Sequence, residues 1–222
     1  MFKIKICGLT RAIDVRAAVE AGADAIGLNF YGKSQRAVTL EQAKELAAYC
    51  PAGVAKVGVF VNMAAADIRR IASQVPLDAV QLHGDESPEI MRELSGLAVI
   101  RAIRPAADEW SKWREQIGAF CANGKLAGVL VDAPSLSAFG GTGQTADWQA
   151  VAEHGDAWRE LPLVLAGGLK PENVAAAIRA VRPQAVDTAS GVESSSGIKD
   201  APLIRAFVAN AREAFHQLGS RL

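Results

Sequence analysis

The chain has 222 residues, half of them hydrophobic and 22% charged, and its 24 basic and 24 acidic side chains leave a formal net charge of zero. That balance suits one folded globular domain with a sizeable core and argues against disorder. No run of Lys or Arg builds the stripe that nucleic-acid binding requires, so any anionic ligand must be held by local groups rather than by global charge.

Short β-branched or apolar runs fall at residues 3–7, 25–30, 55–61, 79–83, 98–102, 126–132, 163–166 and 185–188, which makes eight candidate strands. The first six are continuous in Val, Ile and Leu, as parallel strands covered by helices on their faces are. Helix signals punctuate the intervals. Gly22, after a helix beginning near Arg11, fits a C′ position of positive φ. Thr39 and Gln42 form a capping box ahead of a helix over 40–49. Ser87 with Pro88 reads as N-cap and N1, and Asp200 as the cap of the last helix.

Eight βα units over 222 residues average about 28 residues each, at the compact end of the (β/α)8 range. Segments 18–30 (AVEAGADAIGLNF) and 71–84 (IASQVPLDAVQLHG) echo one another: helix, Gly or Pro break, Asp-Ala, apolar strand. A doubly wound open sheet is the alternative, but no G-x-G-x-x-G turn follows the first strand. The expected architecture is α/β, a single-domain (β/α)8 TIM barrel with a parallel eight-stranded core over residues 1–222.

The N-terminal MFKIKICGLT has too short an apolar run for a signal peptide, and no segment approaches the ~20 apolar residues of a membrane span. The expectation is a cytoplasmic protein with no membrane or nucleic-acid partner. Cys7, Cys50 and Cys121 are widely spaced, odd in number and free of CxxC patterning, so they read as reduced thiols rather than a disulfide framework or zinc site.

In such barrels the active site lies at the C-terminal strand ends. On the first strand, alternation puts Lys5 and Cys7 on the mouth side and Ile4 and Ile6 toward the helices. An arbitrary free cysteine is a small core residue. Beside a lysine and before Gly8, Cys7 reads instead as a candidate base, with Lys5 as the source of help that its thiolate needs. Asp132, at the end of the sixth strand, is a candidate general acid if a partly dry pocket raises its pKa; a helix cap or a solvated carboxylate is the competing reading. A loop with Gly140, Gly141, Thr142 and Gly143 follows it.

Gly167 and Gly168 after the seventh strand, with Ser190 and Gly191 after the eighth, permit close backbone approach and exposed N–H groups where these barrels frequently bind phosphate. Arg36, the remaining cation placed to face the mouth, offers a planar fork for a carboxylate, while Lys33 reads as surface. His83 either orients a substrate hydroxyl or satisfies a neighbouring backbone group.

KICGLT (5–10), FYGKSQRAV (30–38), QLHG (81–84), VDAPSLSAFGGTG (131–143), LAGGLKPENV (165–174) and SGVESSSGIKD (190–200), in that order, resemble phosphoribosylanthranilate isomerases of tryptophan biosynthesis. The resemblance implies an Amadori rearrangement of N-(5-phosphoribosyl)anthranilate to 1-(2-carboxyphenylamino)-1-deoxyribulose 5-phosphate, without metal or cofactor. It implies Cys7 as the base at ribose C2 and Asp132 as the acid at the furanose oxygen. Arg36 then falls on the anthranilate-carboxylate site and the glycine and serine loops on the phosphate site. Gln35, in place of a proline or other residue before Arg36, is a departure that bears on the stiffness of that loop.

Other sugar-phosphate barrels are the nearest rivals. Indole-glycerol-phosphate synthase uses lysine and glutamate for its acid and base work, and a dual histidine/tryptophan isomerase would show an aspartate pair where the first strand here ends in Cys7. A non-catalytic phosphate-ligand-binding barrel gives no reason for opposed Cys7 and Asp132. The expected partner is a small phosphorylated substrate; the oligomeric state is unresolved, with a slight preference for a monomer.

Overall fold

The computed structural model describes residues 2–106, 108–133, 147–154 and 160–219. Strands and helices alternate as β1 (Ile4–Cys7), α1 (Ala12–Glu20), β2 (Ala25–Asn29), α2 (Leu40–Ala47), β3 (Ala55–Phe60), α3 (Ala65–Gln74), β4 (Ala79–Leu82) and α4 (Ile90–Glu93). They continue as β5 (Val99–Ile103), α5 (Trp110–Asn123), β6 (Leu126–Val131), α6 (Trp148–His154), β7 (Leu163–Leu165), α7 (Val174–Val181) and β8 (Ala185–Thr188). A 3-10 turn (Ser190–Val192) and a hairpin of β9 (Glu193–Ser195) and β10 (Ile198–Lys199) precede α8 (Ala201–Gly219).

Strands β1 to β8 pair in chain order and close, β8 running parallel to β1 with Lys5 opposite Asp187. Closure excludes the open doubly wound sheet. Two apolar layers follow from alternation along the strands. Ile4, Ile6, Val129, Val131 and Val186 face outward into a core shared with helix residues such as Val15, Ile68, Ile178 and Phe207. A second cluster of Ile100, Ala102, Leu130, Val164, Ala166 and Ala185 packs inside the barrel.

The sequence echo has a common structural purpose. Asp24, ahead of β2, accepts the backbone N–H of Ile4 at 2.9 Å and of Lys3 at 3.2 Å. Asp78, ahead of β4, accepts that of Lys56 at 2.8 Å. Each aspartate satisfies the start of the preceding strand, where no earlier residue is in register to do so.

Helix ends follow the capping chemistry with two adjustments. Thr39 and Gln42 complete the capping box of α2, Asp200 Oδ1 accepts from Leu203 N at 2.9 Å, and Gly22 turns out of α1 at φ 87°. Helix α2 stops at Ala47, short of residue 49, because Pro51 bars the helical conformation at Cys50. Ser87 is not an N-cap: α4 is a single turn capped at Glu89, and the Ser87 contribution is its carbonyl, which accepts from Ile90 N at 3.2 Å. Among the described residues no helix is long and apolar enough to cross a membrane.

Candidate active site

The alternation that buries Ile4 and Ile6 outward turns Lys5 and Cys7 inward on β1. On β4 it turns Gln81 inward, with His83 two residues beyond. Asp132, just past β6, lies on the same side as Leu130 of the inner cluster. Strands β1 and β6 stand three places apart around the ring, so the thiol and the carboxyl approach the mouth from separate walls.

Two glycines make room at Cys7. Gly27 is its register partner on β2, and a Cβ there would fall 2.6 Å from the Cys7 Sγ. Gly8 turns the chain at φ +71°, and a Cβ there would meet the Arg36 Cδ at 2.5 Å. Both positions require the missing side chain, the first for space and the second for space and backbone conformation.

Lys5 is engaged more strongly by Asp187 than by the thiol. Its side chain is fully buried, with Nζ 2.8 Å from Asp187 Oδ2 and 3.0 Å from Gln81 Oε1. Burial alone would lower its pKa, but the Asp187 carboxylate, with a smaller contribution from Cys7, raises it, so Lys5 remains an ammonium. Burial also dominates at Cys7 and pushes its thiol up, against the opposing pull of Lys5 and of Lys199. The lysine acts in the expected direction and is outweighed.

Asp132 departs from expectation in the opposite sense. Burial would raise its carboxyl, but the close approach of His83, the Ala133 backbone N–H and the charge of Arg104 together hold it below the usual carboxylate range. His83 Nε2 stands 3.3 Å from Asp132 Oδ2, and Ala133 N donates to Oδ1 at 2.8 Å. His83 therefore faces a carboxylate and not merely a backbone group.

The backbone on either side of His83 is braced from outside the barrel. Arg101 on β5 donates to the Gly84 carbonyl at 2.9 Å and to Glu86 Oε2 at 2.6 Å, and its plane lies over the Phe120 ring. Glu86 in turn accepts from the Gly84 and Asn62 backbone N–H groups. A buried charge pair thus fixes the turn that carries His83.

Arg36 is not a free fork. Its Nε and Nη2 each lie 2.7 Å from an oxygen of Glu193, and Lys199 Nζ lies 2.7 Å from Glu193 Oε1. Lys199 is thus a second buried cation beside the site, which corrects the reading of Arg36 as the one remaining candidate. The Glu193 hydrogen bonds raise the Arg36 pKa; burial lowers that of Lys199; and at Glu193 the two cations overcome burial and keep the carboxylate low. The loop carrying Arg36 is tied by Ser34 Oγ, which accepts from Arg36 N at 3.1 Å and from Asn29 Nδ2 at 3.2 Å, so Gln35 does not leave it unanchored. Lys33 is exposed, as expected.

Gly167 and Gly168 have φ of +79° and +64°, and a side chain at 167 would run into the Ala133 backbone beside Asp132. A Cβ at Gly191 would overlap the Leu169 carbonyl, which accepts from Thr188 Oγ1 at 2.7 Å. The loops after β7 and β8 are therefore packed together, with Ser190 opening the 3-10 turn beside them. Gly140, Gly141, Thr142 and Gly143 lie outside the described residues. Among the described residues no cluster of His, Cys, Asp and Glu is arranged to hold a metal ion.

Gln81, Asp187, Glu193 and Lys199 are the site residues that sequence reasoning passed over. Polar side chains at inward positions of otherwise apolar strands, Asp187 in AVDT and Gln81 in AVQL, were the available signal.

A closed parallel barrel with titratable side chains and tight glycine turns gathered at the C-terminal mouth defines a (β/α)8-barrel enzyme. The model of the N-(5'-phosphoribosyl)anthranilate (PRA) isomerase family matches residues 4–210, and the chain belongs to that family. It is 47% identical over 207 residues to the N-(5'-phosphoribosyl)anthranilate isomerase of Pseudomonas fluorescens (strain Pf0-1), covering 92% of this chain and 95% of that one. It is 46% identical over 211 residues to the Myxococcus xanthus (strain DK1622) enzyme, covering 95% and 96%. The crystal structure of phosphoribosyl anthranilate isomerase from Thermotoga maritima superposes with a TM-score of 0.82 at 39% identity, over 96% of this chain and 100% of that one. Another phosphoribosyl anthranilate isomerase, solved in complex with reduced 1-(o-carboxyphenylamino)-1-deoxyribulose 5-phosphate, matches with a TM-score of 0.79 at 38% identity, over 96% and 100%.

Proposed function

We propose that this chain catalyses the Amadori rearrangement of N-(5-phosphoribosyl)anthranilate to 1-(2-carboxyphenylamino)-1-deoxyribulose 5-phosphate, a step of L-tryptophan biosynthesis. The observation that carries the reading is the placement of Cys7 and Asp132 on separate walls of one barrel mouth, each at an inward strand end.

Asp132 gives a proton to the furanose ring oxygen. The C1–O bond then breaks as the anthranilate nitrogen lone pair forms the C1=N bond of a protonated Schiff base. Cys7 removes the proton from C2, the C–H electrons form the C1=C2 bond of an enolamine, and tautomerisation places the carbonyl at C2. No atom is gained or lost overall. The substrate itself adjusts both groups. Its phosphate and carboxylate bring like charge toward Asp132 and displace water, which favours the protonated acid, while the cationic Schiff base favours the Cys7 thiolate. The outer edge of the Arg36 guanidinium, held by Glu193, receives the anthranilate carboxylate. Backbone N–H groups around Gly167, Gly168, Ser190 and Gly191 receive the phosphate, and His83 binds beside Asp132.

The test follows the fluorescence of phosphoribosylanthranilate generated in situ, with and without the protein and with EDTA present. Protein-dependent loss of fluorescence that EDTA leaves unchanged is expected; no acceleration would move the chain to ligand binding or to another sugar-phosphate reaction.

A further inference from the structure

Five buried or largely buried side chains form a continuous line across the barrel, from β8 through β1 and β4 to the end of β6. Asp187 Oδ2 accepts from Lys5 Nζ at 2.8 Å, and Lys5 Nζ donates to Gln81 Oε1 at 3.0 Å. The Gln81 amide nitrogen lies 2.8 Å from His83 Nδ1, and His83 Nε2 lies 3.3 Å from Asp132 Oδ2. The line has a direction that donor and acceptor chemistry fixes. An ammonium only donates, so Lys5 must face the oxygen of the Gln81 amide. Reversing that amide would set an NH2 group against a buried charge. The NH2 therefore faces the imidazole, Nδ1 must accept, and the ring proton sits on Nε2, which is the nitrogen turned toward Asp132.

We infer that Lys5 and Gln81 are positioning residues whose joint task is to hold His83 as its Nε2–H tautomer, so that the ring presents a donor to Asp132. Asp187 fixes Lys5 in turn and supplies the countercharge that lets an ammonium reside in the barrel. The inference deepens the isomerase reading and rests on it for the catalytic consequence. The opposite tautomer would turn a lone pair toward a carboxylate and remove the one side-chain donor that the line delivers there. Partners that orient metal-ligating histidines are worth about 10- to 100-fold in affinity or activity where they have been removed, and the same orienting contact is made here to a histidine that faces a carboxylate.

The test is a ¹⁵N–¹H correlation spectrum of protein labelled at histidine, in which only His83, His154 and His216 contribute, with His83→Asn assigning the signal. The resting protein suffices, so the outcome does not depend on substrate identity. The expected result is a proton on Nε2 and an unprotonated, hydrogen-bond-accepting Nδ1. In Gln81→Glu a carboxylate can still accept from Lys5 but demands a proton from Nδ1, and the His83 pattern is expected to switch. Gln81→Met is expected to lower kcat about tenfold or more with KM changed much less. An Nδ1–H tautomer in the wild type overturns the inference even if neither variant folds. So does a folded Gln81→Glu with an unaltered imidazole, or a folded Gln81→Met with unaltered kcat. An Nε2–H tautomer in a wild-type protein that leaves phosphoribosylanthranilate unconverted sustains the positioning role and overturns the isomerase reading instead.

Discussion

Arg36 and Glu193, 157 residues apart in the chain, meet in a two-pronged ion pair with both contacts at 2.7 Å, and Lys199 closes on the same carboxylate from the hairpin that carries it. The arginine that would read a substrate carboxylate is thus aimed by an internal one. A fork clamped on one edge keeps its other edge in a fixed plane, which lowers the ordering cost of binding a planar anthranilate. Arg36→Lys keeps the charge and loses the fork. Steady-state kinetics should show KM raised about tenfold or more with kcat affected less. Glu193→Ala should cost about 3–5 kcal/mol in urea unfolding, because it strands two cations at a largely buried site.

Gly27 faces the Cys7 thiol so closely that even a methyl group would displace it. Gly27→Ala should cut kcat at least about tenfold, since a base displaced by an ångström loses its alignment with the proton it removes. Binding of inorganic phosphate, measured by calorimetry, should stay within about twofold of the parent, because Gly27 lies on β2 away from the glycine turns.

Asp132 and Glu193 are both held below their ordinary carboxylate range. Folded-state pKa values below the unfolded ones mean that these groups add stability above the unfolded values, near pH 4, and that the contribution fades as pH falls through the folded values. The thermal midpoint should therefore decline as pH is lowered from about 5 toward 3. Glu193→Gln should lie lower at neutral pH and decline less steeply, and parallel curves for the two proteins would contradict the assignment.

The Arg101 and Glu86 pair is buried in the layer between barrel and helices, with both side chains at 2% exposure or less. Arg101→Met should destabilise by about 3–5 kcal/mol and slow turnover by loosening the His83 turn. Adding Glu86→Leu should recover part of the stability by removing the stranded carboxylate, and little of the turnover, since the Gly84 and Asn62 N–H groups then lose their acceptor. Denaturant melts and kcat on the same three proteins check both statements.

The barrel was legible because its signals are local. Eight apolar runs, the Thr39 box, Gly22 and the Asp200 cap each act within a few residues, and the Asp24 and Asp78 echo marks a repeated unit. The inward placement of Cys7 followed from period-two alternation, and Asp132 was marked by its place at the end of a strand. The charge states did not follow, because they depend on partners remote in sequence: Asp187 takes up Lys5 from 182 residues away, and His83 reaches Asp132 from another strand. Ser87 misled for a related reason. Its capping sequence is sound, but the turn around Glu86 is already committed to Arg101 and Asn62.

Turnover in Cys7→Ala and Asp132→Asn, measured beside the parent on phosphoribosylanthranilate and paired with calorimetric binding of a reduced, non-isomerising analogue of the product, tests the central claim most directly. Loss of kcat by about a hundredfold or more in each variant, with analogue affinity retained, is the predicted result. Near-parental turnover in either variant would contradict the acid and base roles given to these two strand ends.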